Sequence, residues 1–529
     1  MSLVPLLVVT TVGGLVALAA GRWGQGGRIG TLVGLAALVV ALLVALTLPS
    51  ATPSTPATVT ALSRPIDATL RATPYVRLVA ILWCGYGLLL AGLAAITGRV
   101  PALAGATLVG LAAGVVALGS ADLLVAGVAA IVAGVGGLLV SAPEIHEGSG
   151  GIRGGDPRLR RPRAAGPLVG GAAIAGVAAR ELRSLVVAGV AVLGGVVLVA
   201  AIAGRTSVSE GAAAGLAQVA PVVGIAAMAI AFGVALRTGA IPFHLWAARV
   251  ADVAPAAALP LLLAWTPLAL TAVAVAAWDA RVAPLGLPLD AERALLVAVA
   301  ALTLGAGAVA ASIQDDLEHV VGYLVIADGG LVLLGLASAD PATVAPSLAW
   351  LLILAVSKSA LGAWATAIPS RFGTRQLSEL HGWARQAPLL ALAFVLTASA
   401  TFGLPGWLAW EIRRTLPTAA AGDLVGLLLW LVTLLALVPY ARVLGAGLGR
   451  RIGAVAEAPS ERPTGRLGAM RPATRAGIAT ALLRANRAPI VSSLVVVAAL
   501  LAALLASGGL GIRAAASAAP PPIAGLSPE

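Results

Sequence analysis

Long apolar runs, separated by short polar or Gly/Pro-rich breaks, dominate this chain. A helix that crosses a bilayer needs about 20 mostly apolar residues. Fourteen stretches read as such helices: 3–20, 29–48, 75–97, 101–118, 121–141, 183–204, 216–236, 256–277, 291–313, 320–337, 345–367, 386–410, 422–446 and 488–510. The two shortest connections, at 98–101 and 119–121, leave barely a turn between neighbours.

Composition turns this pattern into a class. The chain is 60% apolar and 11% charged, with a mean hydropathy of +1.01. A soluble domain is about a quarter charged, and 529 residues of soluble protein would need far more polar surface than this. The expectation is an all-α polytopic membrane protein in contact with the lipid bilayer. Its richness in Ala, Gly, Val and Leu suits helices that approach closely inside a bilayer.

The net charge of +12 is an arginine effect and is read as topology, with no nucleic-acid partner. With the N-terminus outside, 24 arginines fall in inside loops and nine outside. The excess of basic residues marks the cytoplasmic side, so both termini are placed outside a bacterial-type inner membrane. The chain divides into helices one to five (1–141), a basic loop (142–182) containing "DPRLRRPRAAGP", a transmembrane core (183–446), a second basic loop (447–487), a last helix (488–510) and a tail (511–529). Both loops read as disordered and close to lipid headgroups. "MSLVPLLVVT" lacks a basic n-region and reads as the first span. The 11 tryptophans read as interfacial anchors.

Candidate chemistry is sparse. Cys84 is the single cysteine, so the chain can build neither a disulfide nor a cysteine metal site. No zinc set, P-loop, GxGxxG or nucleophile triad is present. No cofactor, metal or catalytic site is expected in this chain.

What stands out are charges within apolar runs, which cost about 2.5–3.5 kcal/mol each at the bilayer centre on insertion scales and mark function or a buried partner. Lys358, the only lysine of the chain, lies mid-run in "LLILAVSKSALGAW". Asp328 lies mid-run in "LVIADGGLVLLG", Arg237 closes "AIAFGVALR", and Glu411, Arg413 and Arg414 close the run from 386. Two readings stay open for Lys358: a proton carrier, since a desolvated lysine releases its proton readily, or a structural partner of Asp328. Arginine keeps its charge in proteins. "RTGAIPFHLW" and "ATFGLPGW" read as helix breaks at membrane depth, through Gly239 and Pro242 in one and Gly403, Pro405 and Gly406 in the other. Such breaks occur where backbone is buried in protein or lines a wet cavity. His244, beside the first, either shuttles protons or caps free carbonyls. His319 and His381 read as solvated loop residues, and His146 lies in the first basic loop.

These motifs resemble a known family. "RTGAIPFHLWAARVADVAP", "SIQDDLEHVVGYLVIADGGLVLLGLA", "AVSKSALGAW" and "LSELHGWARQAPLLALAFVLTASATFGLPGWLAWEIRR" are similar, in order and spacing, to segments of the antiporter-like membrane subunits of respiratory complex I, Mrp-type antiporters and membrane-bound hydrogenases. The resemblance runs from about 216 to 445. It implies about fourteen transmembrane helices with two inverted five-helix repeats, each with one broken helix, here 216–250 and 386–414. It also implies a lateral line of charged and hydrated groups that passes protons. By position Arg237 takes the place of the first broken helix's lysine, Lys358 that of the later lysine, Arg413 that of the charged site after the second break, and His244 that of the motif histidine. Asp328 stands where members carry a polar residue, and Glu411 lies beside Arg413.

The departures are specific. The family's fifth-helix glutamate is missing, with Ile131 near its place, and Pro267 stands near the eighth-helix lysine. Glu318 and His319 replace a Lys-Arg pair. The expectation is a divergent, proton-translocating subunit whose partners are other membrane subunits of a multisubunit complex. The alternatives are a non-conducting structural subunit and a component of a cation/proton antiporter that couples to Na⁺.

Overall fold

The computed structural model describes residues 3–21, 26–48, 58–61, 64–67, 70–97, 100, 102–120, 122–141, 171–203, 212–278, 289–338, 340–449 and 475–518. The central part of each predicted basic loop, 142–170 and 450–474, lies outside the described residues.

The first five helices are α1 (Val4–Ala20), α2 (Gly26–Thr47), α3 (Pro74–Thr97), α4 (Leu103–Gly119) and α5 (Leu123–Ser141). A two-stranded antiparallel hairpin, β1 (Thr58–Ala61) and β2 (Arg64–Asp67), lies between α2 and α3. The next group is α6 (Gly171–Ala203), α7 (Ala212–Arg237), α8 (Leu245–Val253) and α9 (Thr266–Ala277), the last preceded by a π-helical turn, Leu261–Trp265. Then come α10 (Asp290–Ile313), α11 (Leu317–Ala337), α12 (Val344–Phe372) and the short α13 (Trp383–Gln386). α14 (Pro388–Phe402), α15 (Leu408–Leu434), α16 (Leu437–Leu448), α17 (Arg475–Ala506) and α18 (Ile512–Ser517) complete the chain.

Among the described residues nine helical stretches are long and apolar enough to cross a membrane, and five more apolar helices are shorter. The protein is integral to the membrane. Its outermost helices carry exposed apolar stripes, such as Val4, Val8, Val12 and Leu15 on α1. Small residues set the contacts within. A Cβ at Gly34 would meet Ala104 Cβ at 2.6 Å, so α2 and α4 pack almost backbone to backbone.

α11 and α12 form the centre. Of their apolar windows 89% and 83% are buried inside the protein, against 33% for α2. Trp83, Trp265, Trp350, Trp364 and Trp383 are almost wholly buried, which corrects their reading as interfacial anchors. They fill space between helices whose other side chains are small.

Two loop boundaries also move. Helix begins at Gly171 and not at 183, and again at Arg475 and not at 488. The charges of "ARELRS" and "RANR" suggest loop, but a helix tolerates them when they lie on its outer face. Arg180 and Arg183 are exposed in this way, whereas Glu181 between them is buried.

Candidate functional site

At the first break α7 stops at Arg237, and Gly239 adopts a left-handed φ of 71°. The chain resumes helix at Leu245, past Pro242, which has no N–H to offer. The freed backbone groups find partners. Trp246 Nε1 donates to the Leu236 carbonyl at 2.7 Å, and the Ile241 N–H donates to Thr303 Oγ1 at 3.1 Å. Capping therefore falls to Trp246 and Thr303. His244 makes no side-chain cap; its half-buried ring lies 6.3 Å from that of Tyr323.

Arg237 is almost fully buried at this break. One terminal nitrogen donates to Thr266 Oγ1 at 2.7 Å and to the Leu262 carbonyl at 3.4 Å, an oxygen in the π-helical turn. Its guanidinium carbon sits 4.9 Å from the centre of the Trp246 ring, a cation–π distance. Its other two nitrogens have no hydrogen-bond partner among the described residues.

At the second break α14 ends at Phe402 and α15 starts at Leu408. Gly403 takes φ 74° and packs so closely that a Cβ would meet the Trp410 nitrogen at 2.3 Å. This close approach sets Arg413, one turn into α15, facing inward. Its Nε donates to the Thr401 carbonyl at 2.9 Å, an oxygen released by the break.

Three of the sequence-predicted residues meet here. Asp328 from α11, Lys358 from α12 and Arg413 from α15 are each no more than 1% exposed. One Asp328 oxygen accepts from Arg413 NH2, and the other contacts the Lys358 ammonium. Lys358 Nζ is also 3.4 Å from Tyr440 OH, which lies 3.2 Å from Thr401 Oγ1. Trp350 and Phe402 cover the guanidinium, with ring centres 4.7 and 4.8 Å from its carbon. Thus one carboxylate sits between two cations, in a site closed by aromatic rings and extended by two hydroxyls. Lys358 does not stretch toward headgroups.

The remaining candidates lie elsewhere. Glu411 is exposed and pairs with Arg513 at 2.7 Å, so it faces away from the buried triad. Between the Arg237 break and the triad is a cavity of about 10 Å³, lined by Thr238, Pro267, Thr271, Val325, Gly329 and Leu351 among others. That is room for one water, and the buried Thr271 hydroxyl there has no hydrogen-bond partner among the described residues.

Sequence reasoning missed Tyr440, Thr401 and above all Glu181. Glu181 on α6 is 1% exposed, neither oxygen has a hydrogen-bond partner among the described residues, and it interacts electrostatically with Arg237. A signal was available: Val177, Glu181, Ser184, Ala188 and Val192 recur at helical spacing, and all are buried.

At the end of α11 a second polar cluster joins the halves. Asp316 caps the helix by accepting from the Glu318 N–H at 3.0 Å, and binds Arg375 Nε at 2.9 Å. His319 reaches Asp252 of α8 at 2.8 Å and lies 3.6 Å from Asp316. Burial pushes the Asp316 carboxyl up, but hydrogen bonds with His319 and Glu318 and the charges of Arg375 and His319 outweigh it and hold the group below the usual carboxylate range.

Residues 177–435 match the family described as "NADH:quinone oxidoreductase/Mrp antiporter, TM". NADH-quinone oxidoreductase subunit N of Heliobacterium modesticaldum is 28% identical over 188 residues, which is 35% of this chain and 39% of that one. The subunit N of Rhodococcus opacus is 32% identical over 181 residues, 33% of this chain and 32% of its own. The matched stretch thus spans a third to two-fifths of these curated relatives. Solved structures extend the likeness of fold. A chain of the Mrp complex from Dietzia superposes with a TM-score of 0.69 at 19% identity, over 99% of this chain and 52% of that one. A chain of respiratory complex I from Thermus thermophilus with bound NADH gives 0.67 at 18% identity, over 99% and 100%. The broken helices and buried charges described above lie within the matched segment, and it is this segment, 177–435, that belongs to the family of antiporter-like membrane subunits of respiratory complex I and Mrp antiporters.

Proposed function

We propose that this chain is a proton-translocating membrane subunit of a complex-I-related assembly, of NADH–quinone oxidoreductase or hydrogenase type, with other membrane subunits as its partners. The observation that carries the reading is the buried Lys358–Asp328–Arg413 group. With all three ionised it holds one negative and two positive charges. Arg413 keeps its charge, so Lys358 is the cation that can lose a proton and leave a neutral pair behind. The Tyr440 and Thr401 hydroxyls give that proton a first step away from the ammonium. Redox chemistry belongs to partner subunits in this reading.

The same proposal takes the five shorter apolar helices as spans too, giving fourteen. It treats the segments around the two breaks, 216–250 and 386–414, as corresponding parts of two inverted five-helix repeats. The arginine bias supports an inside location for both basic loops and an outside location for both termini in a bacterial-type inner membrane. His244, beside the first break, serves the entry side, while Glu411 contributes only at the rim.

The test is proton flux. The assembly is reconstituted in liposomes with a pH-sensitive dye, and wild type is compared with Lys358→Ala and Lys358→Arg. Both variants are expected to abolish flux while the assembly still purifies intact. Arginine keeps the charge but not the exchangeable proton, so undiminished flux in Lys358→Arg would refute the relay. Flux that needs Na⁺ would instead assign the chain to a cation/proton antiporter.

A further inference from the structure

Arg237 poses a problem for any proton route through the first break, because a guanidinium does not release its proton. A neighbouring group has to change charge instead. The helix packing locates it. α6 and α7 run antiparallel and in close contact: a Cβ at Gly195 would meet the Ala226 carbonyl at 2.6 Å, and one at Gly233 would meet that of Ala188 at 2.5 Å. Continuing this register by two turns brings Glu181 level with Thr238–Ala240, at the break itself. The place near the family's fifth-helix acid is filled by Ile131, which packs on Gly189 of α6.

We infer that Glu181 is the proton-exchanging group of the first half, loading and releasing H⁺ beside the fixed charge of Arg237 through water that bridges the two. This rests on the proton-route reading above. Both Glu181 oxygens and two Arg237 nitrogens are buried without hydrogen-bond partners among the described residues, and the two side chains form no direct ion pair. Buried polar groups are rarely left unpaired, and ordered water is the usual partner when protein is not. The charge surroundings are simple. Nothing titratable lies on α5 or α9, α7 offers only Arg237, and Arg249 and Asp252 of α8 pair with each other, Asp252 also with His319. Arg180 and Arg183 flank Glu181 on the exposed face of α6. The step conserves charge and atoms: a carboxylate takes H⁺ from water on the side of the Gly171 end of α6, becomes a neutral acid, and later returns that H⁺ to water in the core.

Infrared difference spectroscopy on the purified full-length chain tests this without requiring transport. A pH step should give a protonated-carboxyl C=O band that Glu181→Gln lacks. Arg237→Gln should move its midpoint by about one pH unit or more, as expected for loss of a nearby opposite charge. A band unchanged in Glu181→Gln, or a midpoint unmoved in Arg237→Gln, would overturn the inference. Thermal unfolding of each variant checks that the fold survives. Where Glu181→Gln does not fold, Glu181→Asp takes its place and should displace the band. In liposomes Glu181→Gln should lower flux by about tenfold or more. If wild type carries no protons but the band behaves as stated, the transport reading fails and the assignment of Glu181 as a titrating group stands.

Discussion

The two broken helices solve one problem in different ways. In the second half Asp328 is clamped directly between Lys358 and Arg413, and aromatic rings cover the guanidinium. In the first half acid and base stay apart, Arg237 leans on Thr266 and Trp246, and Glu181 has no direct hydrogen-bond partner among the described residues. A closed triad stores charge tightly. An open pair exchanges protons more readily but contributes little to holding helices together. In the roles proposed above, what differs is where the exchangeable proton sits: on the base in one half and on the acid in the other.

The sharpest way to break this contrast is to neutralise the acid in each half. Asp328→Asn leaves two buried cations facing each other, and removing one partner of a buried ion pair costs about 3–5 kcal/mol. The variant is expected to unfold at markedly lower temperature in detergent, or to fail to accumulate. Glu181→Gln should shift the melting temperature little, since it removes no direct bond. Equal destabilisation by the two changes would mean that the halves do not differ in the way described.

A second comparison concerns the breaks themselves. Gly403 and Gly239 both take a left-handed φ, at 74° and 71°. An alanine Cβ at Gly403 would lie 2.3 Å from the Trp410 backbone nitrogen, whereas at Gly239 the nearest atom is Ala247 Cβ at 3.2 Å. Gly239→Ala is expected to cost about 1–2 kcal/mol, mainly the left-handed penalty, with Ala247 Cβ giving way slightly at 3.2 Å. Gly403→Ala adds a backbone clash and should cost about 3 kcal/mol or more. Chemical denaturation of the two variants in parallel reads the difference. If Gly403→Ala is the milder of the two, the close approach at the second break is not what seats Arg413.

Much of this was legible beforehand, for physical reasons. Apolar runs expose spans because lipid admits few charges, so Lys358, Asp328 and Arg413 stood out one by one, and glycine with proline marked both breaks. Their meeting at one carboxylate was hidden, because contact between α11, α12 and α15 is a matter of packing. Glu181 was lost for the opposite reason. Two arginines beside it make the segment look like loop, although every third or fourth residue from Val177 to Val192 faces inward. Tyr440 and Thr401 carry no charge, and nothing local separates them from ordinary buried hydroxyls.

The smallest effect concerns the link between the halves. Asp316 caps the helix that carries Asp328, and through His319 it meets Asp252 on the helix beyond the first break. Its carboxyl is held below the usual range. For such a group the stabilisation is complete above the unfolded-state value of about 3.9 and is lost as pH falls through the lower folded-state value. Asp316→Asn should therefore lower stability by about 1 kcal/mol, the worth of a partly buried cap and ion pair near the surface. The deficit should be constant from neutral pH down to about pH 4 and close only in stronger acid. Melting curves of both proteins across that range decide it. A deficit that instead grows as pH falls from neutral would place the relevant titration on His319, whose protonated ring pairs more strongly with the Asp316 carboxylate, and the link between the halves would then be a pH-sensitive joint, not a fixed one.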